Sequence, residues 1–216
     1  LALKRTAILW DVDGTLVDSE PLHEAALVQA LHDLGLTPPA DFHRHIVGRD
    51  AEDVHRWCCE HLGLTLDLRS WLQMKYRTYL ASVASLEPRS GAVELFHQLR
   101  ADGYAQAIVS NSDRMIVNAN LDAVGLNDPG LISVSRNDVR NGKPGPEPYL
   151  RAAWLLRAEP EHCLAVEDSV TGAKASLGAG MRTMFWPEQD MITPEGAERM
   201  SDLAHLVTVI REMRQT

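Results

Sequence analysis

Cysteine is scarce in this chain of 216 residues: there are three, Cys58, Cys59 and Cys163, and the first two are adjacent. An adjacent pair with one distant thiol makes neither a disulfide framework nor a zinc-ligand spacing, so reduced thiols in a core are expected. Basic residues are outnumbered, 21 Lys and Arg against 30 Asp and Glu, and the formal net charge is −9 with no basic block anywhere. That balance argues against nucleic acid and anionic membrane surfaces as partners, and an anionic substrate would need a local cation or metal. No apolar run approaches the length of a membrane span. Leu1-Ala2-Leu3-Lys4-Arg5 leads directly into the first apolar run, and no signal peptide is expected. A cytoplasmic protein is the expectation. Internal repeats and low-complexity segments are lacking as well.

What is present is ordinary in bulk, 45% hydrophobic and 24% charged residues, and distinctive in order. Short apolar runs alternate with helical patterns, which predicts an α/β sheet. Strands are expected at Ala7–Trp10, Ala105–Ser110, Leu131–Ser135, Cys163–Glu167 and Arg182–Trp186. Helices are expected at Ala92–Ala101, Arg114–Val124 and Val170–Ala179, and another after Pro146 with Tyr149, Leu150, Ala153, Trp154 and Leu156 on its apolar stripe. The segment 16–86 breaks the alternation with consecutive helical stripes, Leu22 to Leu34, Val54 to Leu62 and Trp71 to Leu80. The expected organisation is therefore a core of residues 1–15 and 87–216 with a small helical domain, 16–86, inserted after the first strand. Trp10, Trp57, Trp71 and Trp154 are expected in cores rather than as substrate platforms.

The first strand ends in Asp11-Val12-Asp13-Gly14-Thr15. Residues two apart on an extended strand face the same side, so Asp11 and Asp13 should stand together at its carboxyl end, where open α/β sheets place ligands. Neighbouring carboxylates repel, and the pair suggests a metal or acid/base chemistry. Three further polar clusters fall at strand ends: Ser110-Asn111-Ser112, a lysine loop Gly142-Lys143-Pro144, and Glu167-Asp168-Ser169. Singly, each reads as a turn, a solvated charge or a helix cap. Together they make a coherent site: carboxylates and water for a hard divalent cation such as Mg²⁺, Ser110 and Lys143 for a phosphate, Asp11 as nucleophile and Asp13 for proton transfer.

On these four clusters, in this order and across nearly the whole chain, the sequence resembles the haloacid dehalogenase-like superfamily, in the branch with a helical cap after the first strand. Asp11 to Ser19 resembles its first motif, Ser110-Asn111 its second, Lys143-Pro144 its third and Glu167-Asp168-Ser169 its fourth. The resemblance implies a Rossmann-like parallel core, a helical cap, and Mg²⁺-dependent phosphoryl transfer through an aspartyl-phosphate. It implies Asp11 as nucleophile and metal ligand, Asp13 as general acid/base and a ligand through its carbonyl, Asp168 as metal ligand, and Glu167 as a ligand directly or through water. Ser110, the Asn111 backbone and Lys143 would hold the phosphoryl group.

Asp13 separates the branches. Dehalogenases that attack carbon lack this second aspartate, since halide leaves without a proton, and the phosphonate-cleaving branch replaces it too. Several cap positions resemble β-phosphoglucomutase: His23 on the first cap helix, and Lys75 near a substrate-contacting lysine. Val47-Gly48-Arg49-Asp50-Ala51 departs from the mutase pattern, with its arginine at Arg49, and so does Ser112-Asp113-Arg114. Hydrolysis of a small phosphorylated metabolite, a sugar phosphate or sugar-acid phosphate, is the expected activity. A sugar-phosphate mutase is the alternative, and a catalytically silent binding module a third reading. His23, Arg49 and Lys75 are candidate substrate contacts, and a monomer is expected.

Overall fold

The computed structural model describes residues 6–47, 49, 51–187 and 190–215; Gly48 and Asp50 of the predicted cap loop lie outside the described residues. In chain order the first elements are β1 (Ala7–Trp10), β2 (Val17–Asp18), α1 (Glu20–His32), α2 (His43–Ile46), α3 (Ala51–Leu62), α4 (Leu68–Ser82) and β3 (Glu87–Pro88). There follow α5 (Ala92–Ala101), β4 (Ala105–Val109), α6 (Arg114–Ala123), β5 (Ile132–Val134), α7 (Glu147–Leu156), β6 (Cys163–Glu167), α8 (Val170–Gly178), β7 (Arg182–Phe185), β8 (Glu198–Arg199) and α9 (Leu203–Gln215). No described helix is long and apolar enough to cross a membrane.

The chain divides into two compact units, Leu1–Asp18 with Glu87–Thr216, and Ser19–Leu86. In the first, six strands form one sheet in the order β5-β4-β1-β6-β7-β8, and every pairing in it is parallel. This is the doubly wound, Rossmann-like order: the chain leaves β1 for β4 and β5 on one side, then returns to β6 and β7 on the other. Ligands of such sheets sit at the carboxyl ends of the strands where the direction reverses, which here is between β1 and β6. Both strands are buried at every residue, as expected for central parallel strands covered on both faces. One sheet face packs Leu9, Val109, Val134 and Ala165 against Tyr149, Ala152 and Ala153 of α7. Inside this unit Trp10 Nε1 donates to Gln106 Oε1 at 2.8 Å, and Gln106 Nε2 donates to the Phe96 carbonyl at 2.9 Å, so the buried amide is satisfied.

The observed strands β4, β5 and β7 are trimmed by one or two residues against expectation. The larger correction concerns α7. Its buried residues are Pro148, Tyr149, Ala152 and Ala153, whereas Leu150 is exposed and Trp154 is 75% exposed. At about 100° per residue, Leu150 and Trp154 point well away from the face set by Tyr149 and the two alanines. The small alanines let the helix approach the sheet closely, which decides the face against the larger hydrophobes.

The second unit is helical. Here α1 packs against α4, over a core of Leu27, Leu31, Phe42, Ile46, Val54, Cys58, Leu64 and Trp71. Pro21 opens α1 where a helix tolerates it, and Asp67 caps α4 by accepting from the Ser70 N–H at 3.0 Å. Trp10 and Trp71 are core residues. Trp57 is half-buried, sandwiched between the rings of His45 and His61 at 4.4 and 4.8 Å. The cysteines are free thiols; burial pushes Cys58 up to about 11 and Cys163 up to about 12, so both are protonated and inert at neutral pH.

Candidate active site

Asp11 follows β1 directly. Its N–H continues the parallel ladder to the Val166 carbonyl at 3.0 Å, so the carboxylate emerges at the carboxyl end of the sheet beside β6. The chain then turns tightly: the N–H groups of Leu16 and Val17 return to the Val12 carbonyl, and Gly14 N–H donates to Val17 O at 2.8 Å. Gly14 has φ of 82°, and a β-carbon there would stand 2.2 Å from Asp168 Oδ2. Only glycine meets both conditions. The Gly14 carbonyl is held in turn by Arg89, whose Nη1 donates to it at 2.6 Å and to the Trp186 carbonyl at 2.7 Å. The Arg89 guanidinium lies 3.5 Å from the Trp186 ring centroid.

Lys143 is buried, and its ammonium reaches three acceptors: Asp11 Oδ1 at 2.6 Å, Glu167 Oε1 at 2.5 Å and the Val109 carbonyl at 2.9 Å. Asn111 braces the lysine loop, its Oδ1 accepting from the Lys143 N–H at 3.0 Å. A β-carbon at Gly142 would fall 2.3 Å from that Oδ1. Glu167 is fully buried and also accepts from the Tyr149 hydroxyl at 2.5 Å and from Ser169 Oγ at 3.3 Å. Its carboxylate rests on Gly172, where a β-carbon would lie 2.0 Å from Oε2. Ser169 caps α8 by accepting from the Gly172 N–H at 3.0 Å. Thr15 Oγ1 faces Asp168 Oδ1 at 3.5 Å.

One carboxylate oxygen each from Asp11, Glu167 and Asp168 lie within 4.8 Å of one another. Burial pushes the Asp11 carboxyl well above its usual range; Lys143 pulls it back, and the charges of Glu167, Asp168 and Asp13 push it up again. Asp168 is pushed up to about 7, by burial first and Glu167 second, against Lys143. Burial alone would depress the Lys143 ammonium, but Asp11 and Glu167 overturn that and hold it above its usual value. Three carboxylates facing one ammonium leave an excess of negative charge in a buried place. Hard oxygen donors so arranged are the ligand chemistry of Mg²⁺. The residues present therefore fit that ion.

Asp13 stands apart from this cluster, at the end of β4. Its Oδ2 accepts from Ser112 Oγ at 2.8 Å and Ser110 Oγ at 3.3 Å, and its Oδ1 from Asn120 Nδ2 at 3.0 Å. The sheet thus gathers Asp11, Lys143, Glu167 and Asp168 into one ion-paired group, with Asp13 and Ser110 as a neighbouring hydrogen-bonded group and Asn111 as the brace of the lysine loop. His23, Arg49 and Lys75 belong to the helical unit. There the His23 ring stacks on Tyr79 at 4.3 Å, Arg49 is exposed, and Lys75 Nζ lies 5.8 Å from the Tyr76 ring centroid. Sequence reasoning missed Arg89, Asn120, Tyr149 and Gly172. For Gly172 a signal existed: a glycine within the first turn of a helix that carries an acidic residue just before its cap.

A family model described as haloacid dehalogenase-like hydrolase matches residues 6–180. Protein CbbY of Rhodobacter capsulatus is 31% identical over 199 residues, which cover 85% of this chain and 86% of that protein. Hexitol phosphatase A of Escherichia coli is 30% identical over 172 residues, 80% of this chain and 78% of its own. The crystal structure of a mutant CbbY from Rhodobacter sphaeroides in complex with xylulose-(1,5)bisphosphate is 25% identical, superposes with a TM-score of 0.81, and is covered to 99%, with 94% of this chain. A match that begins before β1 and runs past α8 takes in every residue of the ion-paired group, and with it this chain belongs to the haloacid dehalogenase-like hydrolases.

Proposed function

We propose that this protein is a Mg²⁺-dependent phosphatase of a small phosphorylated metabolite, a sugar phosphate or sugar-acid phosphate, working through a phosphorylated Asp11. The observation that carries the reading is the buried ammonium of Lys143 bonded at once to Asp11 and Glu167, beside Asp168 and one turn away from Asp13. Lys143 holds Asp11 Oδ1 and so sets the plane of the carboxylate that attacks phosphorus. As the Asp11 oxygen bonds to phosphorus, the ester oxygen departs and takes a proton from Asp13. In the second step Asp13 removes a proton from water, the water oxygen attacks the acyl phosphate, the P–O bond to Asp11 breaks, and inorganic phosphate leaves. Ser110 and the Asn111 backbone are the proposed donors to the phosphoryl oxygens. Mg²⁺ held by Asp11, Glu167 and Asp168 would neutralise charge on the transferring group.

Asp13 supports phosphate over halide chemistry, because an alkoxide leaving group needs an acid. The sugar class is supported by the name of hexitol phosphatase A and by the xylulose bisphosphate bound to CbbY. His23, Arg49 and Lys75 in the helical unit are the proposed contacts for the leaving group.

The test is phosphate release from a panel of sugar and sugar-acid phosphates with Mg²⁺. Activity on at least one, lost in Asp11→Asn and on chelation, is expected. Full activity in Asp11→Asn would refute the mechanism, and isomer conversion that requires a bisphosphate would replace hydrolysis by mutase chemistry.

A further inference from the structure

Asn120 is a fully buried amide on the inner face of α6, among Ile116, Val117 and Leu121. A polar side chain at such a position costs free energy unless it is hydrogen-bonded, and asparagine is a mediocre helix former. Its amide donates to Asp13 Oδ1 across 107 residues of sequence. On the other oxygen, Ser112 Oγ donates at 2.8 Å, closer than Ser110 Oγ at 3.3 Å. Both oxygens of Asp13 are therefore gripped from the end of β4 and from α6, and a carboxylate held at both ends cannot rotate about its terminal torsion without losing a charge-assisted bond.

We infer that Asn120, assisted by Ser112, is a positioning residue for Asp13: the pair fixes the carboxylate through which the leaving oxygen is protonated. The inference rests on the phosphatase reading above. Neither side chain is assigned any contact with substrate; each acts through Asp13. A residue that acts through a proton donor matters only when the leaving group needs the proton. An alkyl phosphate, such as a sugar phosphate, expels a strongly basic alkoxide. 4-Nitrophenyl phosphate expels a weakly basic phenolate that departs unaided. A residue needed only for folding would affect both substrates alike.

The experiment compares kcat/KM for a sugar phosphate and for 4-nitrophenyl phosphate in wild type, Asn120→Ala, Ser112→Ala, Asp13→Asn and the Asn120→Ala/Asp13→Asn double variant. kcat/KM reports transfer to Asp11 and so excludes the later hydrolysis step. Asn120→Ala should lower kcat/KM for the sugar phosphate about 10- to 100-fold, the range for losing a hydrogen bond to a charged group, and for the aryl phosphate less than about threefold. Ser112→Ala should show the same asymmetry, and, being a half-buried site, it carries the comparison should Asn120→Ala not fold. In the Asp13→Asn background, Asn120→Ala should add nothing. Equal losses on both substrates, or an additive loss in the double variant, would overturn the inference and leave the phosphatase reading standing. Absence of turnover of both substrates by the wild type would overturn the two together.

Discussion

Gly172→Ala, a change that usually strengthens a helix, should damage this protein. The added carbon would lie 2.0 Å from Cδ and Oε2 of Glu167 and 2.1 Å from Oε1, so the carboxylate must move. It is bonded to Lys143 and Tyr149, each at 2.5 Å, and it is fully buried, so no water replaces the lost partners. Hydrogen bonds to charged groups are worth about 1.5–3 kcal/mol each, and two of them make a loss of about 3–6 kcal/mol. Replacing glycine within a helix returns at most about 1 kcal/mol, so a net destabilisation of about 2–5 kcal/mol is expected. Gly178→Ala is the control on the same helix. Its β-carbon would meet only Pro146 Cβ at 3.7 Å, ordinary contact, and a change within about 1 kcal/mol is expected. Urea unfolding of the two variants and the wild type measures both numbers, and calorimetric titration with Mg²⁺ reports whether Glu167 is still in place. Wild-type stability and unaltered Mg²⁺ binding in Gly172→Ala would refute the reasoning that seats Glu167 on this glycine.

Lys143→Met should cost about 3–5 kcal/mol at neutral pH, because removing one partner leaves two buried carboxylates uncompensated; urea melts at pH 7 measure it. The loss should shrink in acid as Asp11, whose carboxyl is held above its usual range, takes up a proton, and a pH-independent loss would contradict the ion-pair account. In metal-free protein, Asp168 retains its proton up to about pH 7, while in the unfolded chain it releases it near its ordinary value of about 4. The native state therefore binds more protons across that interval, and stability should fall as pH rises from about 4 to about 7, then level off. Raised Asp11 contributes with the same sign. Unfolding with a chelator at pH 5 and pH 8 tests the slope, which saturating Mg²⁺ should reverse; stability that rises with pH in the chelator would contradict it. Mg²⁺ binding at pH 6 should also release protons, read by calorimetry in buffers of different ionisation enthalpy, and no release would argue against these three carboxylates as ligands.

The sequence is most legible where burial is one-sided in its demands. β1 and β6 stand where their apolar runs predict, since a central parallel strand must be apolar throughout. The charges at their ends were equally visible, because nothing in a strand end requires Asp11, Glu167 or Asp168. β2, β3 and β8 are two residues each, too short for any periodicity. On α7 the largest hydrophobes drew the predicted face, whereas close packing selected Ala152 and Ala153. The residues that organise the site were hidden for another reason. Tyr149 reaches Glu167 over 18 positions, Arg89 reaches Gly14 over 75, and Asn120 reaches Asp13 over 107. Each reads locally as a helix or loop residue, and only tertiary structure supplies its partner.

The central claim, that Asp11 is the nucleophile, is tested most directly by the stereochemical course at phosphorus. Transfer to Asp11 and then to water is two in-line displacements, each inverting the centre. A phosphorothioate monoester made chiral at phosphorus with one heavy oxygen isotope, hydrolysed in water that carries the third isotope, should therefore give chiral inorganic thiophosphate with net retention. Inversion would mean a single attack by water, and would contradict the role assigned to Asp11.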